Sequence, residues 1–201
     1  MSHSIIGFGK VGSAIVRAFA RQGIEVAVVS RRPPDALAPL AAQIGPAVVP
    51  RRLEDALGAD VIILAVPFGA YRDVARAAQS WHGKIVVDAM NAFNIPPEDL
   101  GGLPSTAAVA AAMPGATLVK GFNHLPASTL AEAPKTRGGR RVVFVSSDDD
   151  AASARVADLV GRLGFAPVEL GKIGEGGMLV QARGSTWGRL IFQDLVKISA
   201  E

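Results

Sequence analysis

Short apolar runs alternate with amphipathic stretches along most of the chain. This alternation is the pattern of a parallel sheet covered by helices. The apolar runs, predicted as strands, are residues 3–8, 24–29, 47–49, 60–66, 84–88, 118–122, 141–146 and 167–170. The amphipathic stretches, predicted as helices, are residues 11–22, 34–44, 53–57, 70–80, 105–113, 150–163 and 176–198. The pattern predicts an α/β protein with a doubly wound, mainly parallel sheet, helices on both faces and a small C-terminal helical extension. We expect a single domain over residues 1–201, with a core over about 1–125 and an extension over about 126–201.

A glycine-rich turn follows the first predicted strand and precedes the first predicted helix. It reads G-x-G-x-x-G, with the residues Gly7, Phe8, Gly9, Lys10, Val11 and Gly12. In a dinucleotide loop, Gly7 permits the tight turn, Gly9 lets the backbone approach the pyrophosphate, and Gly12 lets the helix pack on the strand. The free N–H groups at the helix start bind the anion. The strand and helix around it favour this function over a turn without a ligand. The motif predicts a Rossmann-type fold that binds a dinucleotide.

The end of the second predicted strand bears on which dinucleotide binds. Sites for NAD usually place Asp or Glu there, about 20 residues past the glycine motif. This chain instead has Ser30, followed by Arg31 and Arg32. A hydroxyl and two guanidinium groups suit the 2′-phosphate of NADP. Ordinary loop charges are the alternative, and the missing acid makes that alternative the weaker one. We therefore expect NADP(H) as the cofactor.

Further candidates follow later strands, at the carboxyl edge where the ligand crevice of such a sheet lies. Ala65, Val66 and Pro67 can flank the nucleotide or the nicotinamide, although a strand ending at proline explains them equally well. Asn91 and Asn123 can hydrogen-bond a carboxamide or an acceptor ring. Turn chemistry is an equally good explanation for both asparagines.

Other polar and aromatic residues near this edge carry weaker predictions. His124 is the best candidate for a proton donor or an orienting group, although a surface-loop or helix-capping histidine explains it slightly better. Lys120 could reach an acidic ligand, although a strand-edge charge is the more common explanation, and we expect Asp88 to make a buried backbone contact rather than act as a base. Trp81 and Trp187 could line a cleft, but core packing is the default expectation for both. Ser105 is expected to be the N-cap of the helix over residues 105–113, and the acidic run 148–150 is typical of a helix N-terminus.

Composition and charge exclude several classes of protein. The 201 residues include no cysteine, which rules out disulfides, thiolate metal sites and thiol catalysis. Three scattered histidines do not suggest a zinc site. The net charge of +3 comes from dispersed Lys and Arg, which favours a small anionic ligand over nucleic acid. No secretory signal and no apolar run long enough to cross a bilayer are visible, so we expect a cytoplasmic protein without a membrane partner.

Five of these stretches together resemble a known family. Residues 7–12, 30–32, 64–67, 87–91 and 120–123 are similar to those of the NADP-dependent oxidoreductases that reduce or oxidise coenzyme F420, a deazaflavin. The reductase domains of the STEAP metalloreductases are also similar. The resemblance covers essentially the whole chain. It implies NADP on the glycine loop and the Ser-Arg pair, a flavin or deazaflavin acceptor beside the nicotinamide, and a homodimer through the C-terminal segment.

One stretch departs from the family pattern. The family tends to carry a histidine before Ile-Pro-Ala, whereas here His124 stands before Leu125, Pro126 and Ala127, shifted by one place. The role of the family's histidine is therefore not transferred to His124.

The sequence contains no convincing acid–base set. Hydride transfer to a flavin-like ring needs face-to-face positioning more than an acid or a base, which agrees with an oxidoreductase of this kind. A small NADPH-dependent imine or ketone reductase is one alternative, although such enzymes usually have a longer helical C-terminal domain. A non-catalytic NADP-sensing module is the other.

Overall fold

The computed structural model describes residues 1–136, 138–182 and 196–198. The strands are β1 His3–Ile6, β2 Val26–Val29, β3 Val48–Pro50, β4 Val61–Leu64, β5 Ile85–Asp88, β6 Thr117–Gly121, β7 Lys135–Thr136, β8 Gly139–Ser147, β9 Ala166–Glu169 and β10 Val196–Ile198. The α-helices are α1 Lys10–Arg21, α2 Pro34–Ile44, α3 Leu53–Ala56, α4 Tyr71–Ala77, α5 Ser105–Ala112, α6 Ala127–Ala131 and α7 Asp150–Arg162. Short 3₁₀ turns cover Phe68–Ala70, Pro97–Leu100 and Gly176–Val180.

The strands form one sheet in the order β3-β2-β1-β4-β5-β6-β8-β10, with β7 and β9 also paired to β8. Strands β1 to β6 run parallel, whereas β8 is antiparallel to β6. The order of the first six strands is that of a doubly wound dinucleotide fold, so the predicted Rossmann-type architecture is confirmed. Strands β2 and β3 are added on one side of β1, and strands β4 to β6 on the other, so the strand order reverses between β1 and β4. A ligand crevice is expected at that point, outside the carboxyl ends of the strands.

The core lies on both faces of the sheet because the central parallel strands are covered by helices on each side. Strand β4 illustrates this arrangement through two neighbouring residues. Ile63 belongs to the same buried cluster as Phe19 of α1. Ile62 points to the other face and belongs to the cluster of Trp81 and Met113. The predicted core position of Trp81 is confirmed, and its indole Nε1 donates a hydrogen bond to the backbone oxygen of Ala75 at 3.1 Å.

The end of the chain differs from the predicted helix over residues 176–198. A 3₁₀ turn covers Gly176–Val180, and Val196–Ile198 forms β10, antiparallel to β8. The glycines at the start of this stretch disfavour an α-helix, and the β-branched ends of β10 suit a strand. Residues 183–195 lie outside the described residues, and with them the prediction for Trp187.

Three smaller features were missed or wrongly predicted. The hydrophobic pattern predicted neither α6 nor β7. Ser105 is not the N-cap of α5, because Pro104 occupies that position. The Ser105 backbone N–H and hydroxyl instead donate to Oε1 of Gln181, at 3.0 and 3.2 Å. Among the described residues, no helix has the length and apolar character needed to span a membrane.

Candidate functional site

The glycine turn between β1 and α1 depends on two very close backbone approaches. Gly7 has a φ of +111°, and a Cβ there would lie 2.4 Å from the backbone oxygen of Ala65. A Cβ on Gly12 would lie 1.9 Å from the backbone oxygen of Gly7. Both positions therefore exclude a side chain. Their glycines let α1 start directly against the ends of β1 and β4, at the switch point of the sheet.

Gly9 lies in a different environment, because nothing occupies the space within 4 Å of where its Cβ would be. It is the N-cap of α1 and supplies no capping side chain, and the first turn of the helix carries no acidic residue. The first helical hydrogen bond runs from the Ser13 N–H to the Gly9 oxygen at 2.9 Å. The N–H groups of Lys10, Val11 and Gly12 consequently have no acceptor within the helix. An open cradle with free donors at a positive helix end fits a pyrophosphate.

The remaining predicted residues of the loop and of the β4 end surround this cradle. Phe8 and Val11 are half-buried and pack against the core, whereas Lys10 is exposed. The Ala65 N–H continues the β1–β4 ladder by donating to the Ile6 oxygen at 2.9 Å. The structure therefore brings the predicted glycine loop and the predicted β4 end to one place. Val66 is half-buried there and Pro67 is exposed.

Ser30, Arg31 and Arg32 form a turn after β2, at the same edge of the sheet. The Ser30 Oγ accepts a hydrogen bond from the Arg32 N–H at 2.9 Å and donates to the Arg32 oxygen at 3.1 Å. Both arginines are exposed. Neither forms an ion pair with another residue in the described part of the chain. Two guanidinium groups are thus available to an anion beside the glycine cradle.

Asn91 and Asn123, which follow β5 and β6, are brought together. The Asn91 Nδ2 donates to the Asn123 backbone oxygen at 2.8 Å, and the Asn123 Nδ2 donates to the Asn91 Oδ1 at 3.2 Å. The Asn123 Nδ2 also donates to the Val180 oxygen at 2.8 Å. The Asn123 Oδ1 is buried and has no partner among the described residues.

The residue before Asn123 has strained backbone. Phe122 has a φ of +61°, the only positive φ of a non-glycine residue in the described part of the chain. Such a conformation is unusual for a bulky side chain, and strain of this kind clusters at functional sites. The strained turn places Asn123 at the end of β6, where its side chain meets Asn91.

His124 is buried, so the interpretation as a surface-loop histidine is wrong. Its ring packs on Phe144 with the ring centres 4.7 Å apart. Neither ring nitrogen has a hydrogen-bond partner among the described residues. Burial lowers the pKa of His124 to about 4. The imidazole is therefore neutral near pH 7, which makes it a poor proton donor.

The prediction of Lys120 as a strand-edge charge is wrong. The side chain is buried and pairs with the fully buried Asp88 at 3.0 Å. The backbone contact predicted for Asp88 is confirmed, since its Oδ1 accepts from the Met90 N–H at 2.9 Å. The two residues are directly opposite each other in the β5–β6 register. That register, which depends on the whole fold, is what the sequence did not reveal.

The acidic run 148–150 is explained by local backbone contacts. The Asp149 side chain caps α7 by accepting from the Ala152 N–H at 2.8 Å, as predicted. The Asp148 side chain accepts from the Ile173 N–H at 3.2 Å. These carboxylates therefore bind backbone N–H groups at the start of α7 and in the loop after β9.

Two cavities lie away from the glycine cradle. One, of about 670 Å³, is lined around the amino ends of β1, β2 and β4, including His3, Glu25 and Ala59. The other, of about 700 Å³, lies between α5 and the start of β6 and includes Ala107 and Thr117. Dinucleotides bind at the carboxyl ends of the strands in this fold, so we assign the site to the cradle rather than to either cavity.

Comparisons with known proteins agree with the fold and with the glycine loop. The family model of the coenzyme F420-dependent NADP oxidoreductases matches residues 3–92. Metalloreductase STEAP2 of Mus musculus is 29% identical over 173 residues, which are 84% of this chain and 33% of that protein. The chain thus spans about a third of the length of the curated relatives it matches.

Two crystal structures are similar over most of their length. A hypothetical protein from Sinorhizobium meliloti is 39% identical with a TM-score of 0.88, and the match covers 100% of this chain and 96% of that one. A protein from an Arthrobacter strain, described as an F420-dependent NADP reductase, is 29% identical with a TM-score of 0.70 over 86% of each chain.

The fold and the glycine loop define a Rossmann-type dinucleotide-binding protein. Within that class, the chain is similar over residues 3–92 to the NADP-dependent oxidoreductase family that its sequence resembles, and it is similar to the relatives named above.

Proposed function

We propose that the protein binds NADP(H) and transfers hydride between it and a flavin or deazaflavin acceptor, such as coenzyme F420. The observation that carries the proposal is the meeting of two features at one sheet edge. One is the start of α1, open at Gly9 and free of acidic residues. The other is the pair of exposed guanidinium groups of Arg31 and Arg32. Together they suit a dinucleotide that carries an additional phosphate.

The chain's own residues would bind and orient the cofactor from several elements. The N–H groups at the start of α1 would hold the pyrophosphate beside Gly9. The Ser30 hydroxyl and the two arginines would hold the 2′-phosphate, because guanidinium groups bind phosphate oxygens in pairs. Ala65, Val66 and Pro67 would flank the nicotinamide end of the crevice.

Asn91 and Asn123 would face the nicotinamide and the acceptor. Their side-chain amides offer both donors and acceptors, and the Asn123 Oδ1 lacks a partner within the described residues. Because the Asn123 Nδ2 holds the Val180 oxygen, the turn Gly176–Val180 has to shift for a ligand to reach this amide.

The proposed reaction requires positioning more than acid–base catalysis. NADPH, when bound, supplies a hydride, and a flavin-type ring that accepts these two electrons takes its second proton from solvent. The neutral, buried His124 agrees with a reaction that needs no protein proton donor. The similarity to a protein described as an F420-dependent NADP reductase supports the acceptor class.

An acceptor panel tests this proposal. The protein is mixed with NADPH and FMN, FAD, coenzyme F420 or a ferric chelate, and the nicotinamide absorbance band is followed over time. We expect NADPH oxidation with at least one flavin-type acceptor, and a slower rate at low NADPH for Arg31→Ala. Tight NADPH binding without oxidation by any acceptor would contradict the catalytic proposal and favour an NADP-sensing module.

We further propose that residues 1–201 form one NADP-binding domain that assembles as a homodimer through its C-terminal segment. The support is the family resemblance. Light scattering after size exclusion measures the mass of the particle. A mass of one chain at micromolar concentration would contradict the dimer.

A further inference from the structure

The buried ion pair of Asp88 and Lys120 is not explained by stability. Asp88 is fully buried, Lys120 is 3% exposed, and the Nζ and Oδ2 atoms are 3.0 Å apart. Removing both charges from water costs about as much as their attraction returns, and apolar replacements of such pairs are often neutral or stabilising. We therefore ask which part of the backbone this ion pair holds in place.

The contacts of the pair converge on one backbone position, Met90. The Asp88 Oδ1 accepts from the Met90 N–H at 2.9 Å, and the Lys120 Nζ donates to the Met90 oxygen at 2.6 Å. Thr106, in the first turn of α5, donates its hydroxyl to the Asp88 Oδ2 at 2.7 Å. Both backbone polar groups of Met90 are therefore held by charged side chains inside the protein.

The residue fixed in this way leads directly to the candidate site. Asn91 follows Met90, and its side-chain amide pairs with Asn123 at 2.8 and 3.2 Å. A shift of the Met90 peptide would therefore move the Asn91 amide. Hydride transfer is sensitive to small displacements of the reacting groups, whereas the proposed sites of the pyrophosphate and the 2′-phosphate lie elsewhere in the crevice.

We propose that Lys120 is a positioning residue, which with Asp88 holds the Met90 peptide so that Asn91 stands correctly at the nicotinamide end of the crevice. The pair sets the rate of hydride transfer and contributes little to NADPH affinity. This inference rests on the proposed function. It assigns Lys120 no contact with the cofactor or the acceptor.

The test compares the double variant Asp88→Asn/Lys120→Met with wild type. The double change removes both charges at once, so no unpaired charge is left in the interior. Val156→Ala is the matched control, because it creates a cavity in the core cluster on the other face of the sheet from Met90. Lys120→Arg, which keeps a cation opposite Asp88, is the conservative variant. Melting temperature, NADPH affinity and single-turnover oxidation of NADPH by FMN or coenzyme F420 are measured for each.

The expected result separates rate from binding. The double variant transfers hydride at least tenfold more slowly in a single turnover and shows a larger deuterium isotope effect with NADPH labelled at C4, while its NADPH affinity stays within about threefold of wild type. Lys120→Arg recovers part of the rate. The inference is overturned if the rate falls no more than in Val156→Ala, or if NADPH affinity falls by the same factor as the rate.

If the proposed function is wrong, the wild-type protein itself will oxidise NADPH with neither FMN nor coenzyme F420. This result differs from a loss of rate in the double variant alone. If wild type is inactive with both acceptors, the Asn91 and Asn123 side-chain amide resonances, recorded by NMR with and without NADP⁺, decide the positioning role. We expect the double variant to move these resonances toward those of a mobile amide, while Val156→Ala leaves them in place. Unchanged resonances in the double variant would overturn the inference.

Discussion

The hydroxyl of Ser30 is hydrogen-bonded to the backbone of Arg32, accepting from its N–H at 2.9 Å and donating to its oxygen at 3.1 Å. The contact closes a turn of three residues, 30–32, after β2. It fixes the path of the backbone that carries both exposed arginines. Ser30 is therefore placed to shape the proposed 2′-phosphate site, and its hydroxyl would donate to the phosphate by exchanging the Arg32 oxygen for a phosphate oxygen.

Replacing Ser30 by alanine should weaken NADPH binding selectively. The change removes the hydroxyl and loosens the turn that presents Arg32. A hydrogen bond to a charged group is worth about 1.5–3 kcal/mol, so we expect NADPH affinity to fall at least about tenfold. NADH, which lacks the 2′-phosphate, should lose less than about twofold, and fluorescence titration measures both.

Ser30→Thr is the matched control for this change, because threonine retains a hydroxyl that can close the same turn. It should keep most of the NADPH affinity. Equal weakening of NADPH and NADH in Ser30→Ala would show that the turn supports the fold and not the phosphate.

Alanine at Gly9 should weaken NADPH binding and leave stability unchanged, whereas alanine at Gly12 should lower stability. A Cβ on Gly9 enters open space, so the free energy of unfolding should change by less than about 0.5 kcal/mol. That methyl group stands where the pyrophosphate would approach, so NADPH affinity should fall at least about tenfold. Gly12→Ala places a Cβ 1.9 Å from the Gly7 oxygen, and should destabilise the protein by about 1–3 kcal/mol. Urea unfolding and NADPH titration give the two quantities.

The comparison is informative because each variant serves as the control for the other. If Gly9→Ala bound NADPH as tightly as wild type, the cradle at the start of α1 would not be the pyrophosphate site. A Gly12→Ala protein of unchanged stability would contradict the close approach of α1 to the end of β1.

His124 should make the protein less stable as the pH falls below neutral. Its pKa is about 4 in the folded protein and about 6.5 when unfolded, so the unfolded state binds more protons between these values. The stability that neutral His124 contributes is complete above pH 6.5 and is lost as the pH falls toward 4. Between pH 7 and pH 5, the free energy of unfolding should fall by about 2 kcal/mol through this residue.

His124→Leu removes the titration, so its free energy of unfolding should depend less on pH over this range. His82→Gln, which removes an exposed histidine, is the control variant. Burial also lowers the pKa of His3, so part of the pH dependence should persist in His124→Leu. A His124→Leu profile identical to that of wild type would show that His124 is not buried as a neutral group.

The parts of the molecule that the sequence predicted well are those defined by neighbouring residues. Helix α2 begins at Pro34 and ends at Ile44 as predicted, because a proline at the first turn and Gly45 after the last residue are local signals. The glycine motif is an equally local signal, because its residues lie between one predicted strand and the helix that follows it. The three glycines consequently stand where the motif placed them.

The misplaced residues depend on contacts between distant parts of the chain. Lys120 is buried because the β5–β6 register sets it opposite Asp88, 32 residues away. Ser105 is bonded to Gln181, 76 residues away, and so does not cap its own helix. The burial of His124 against Phe144 likewise requires β8 to lie antiparallel beside β6. Patterns within a window of neighbouring residues carry no information on such pairings.

The preference for NADP(H) is the central claim, and the most direct test is the affinity of Arg31→Ala for NADPH and for NADH. Titration of wild type and variant with each cofactor gives four dissociation constants. We expect the variant to bind NADPH at least about tenfold more weakly, while its affinity for NADH stays within about twofold of wild type. Equal losses for the two cofactors would contradict the assignment of the 2′-phosphate to Ser30, Arg31 and Arg32.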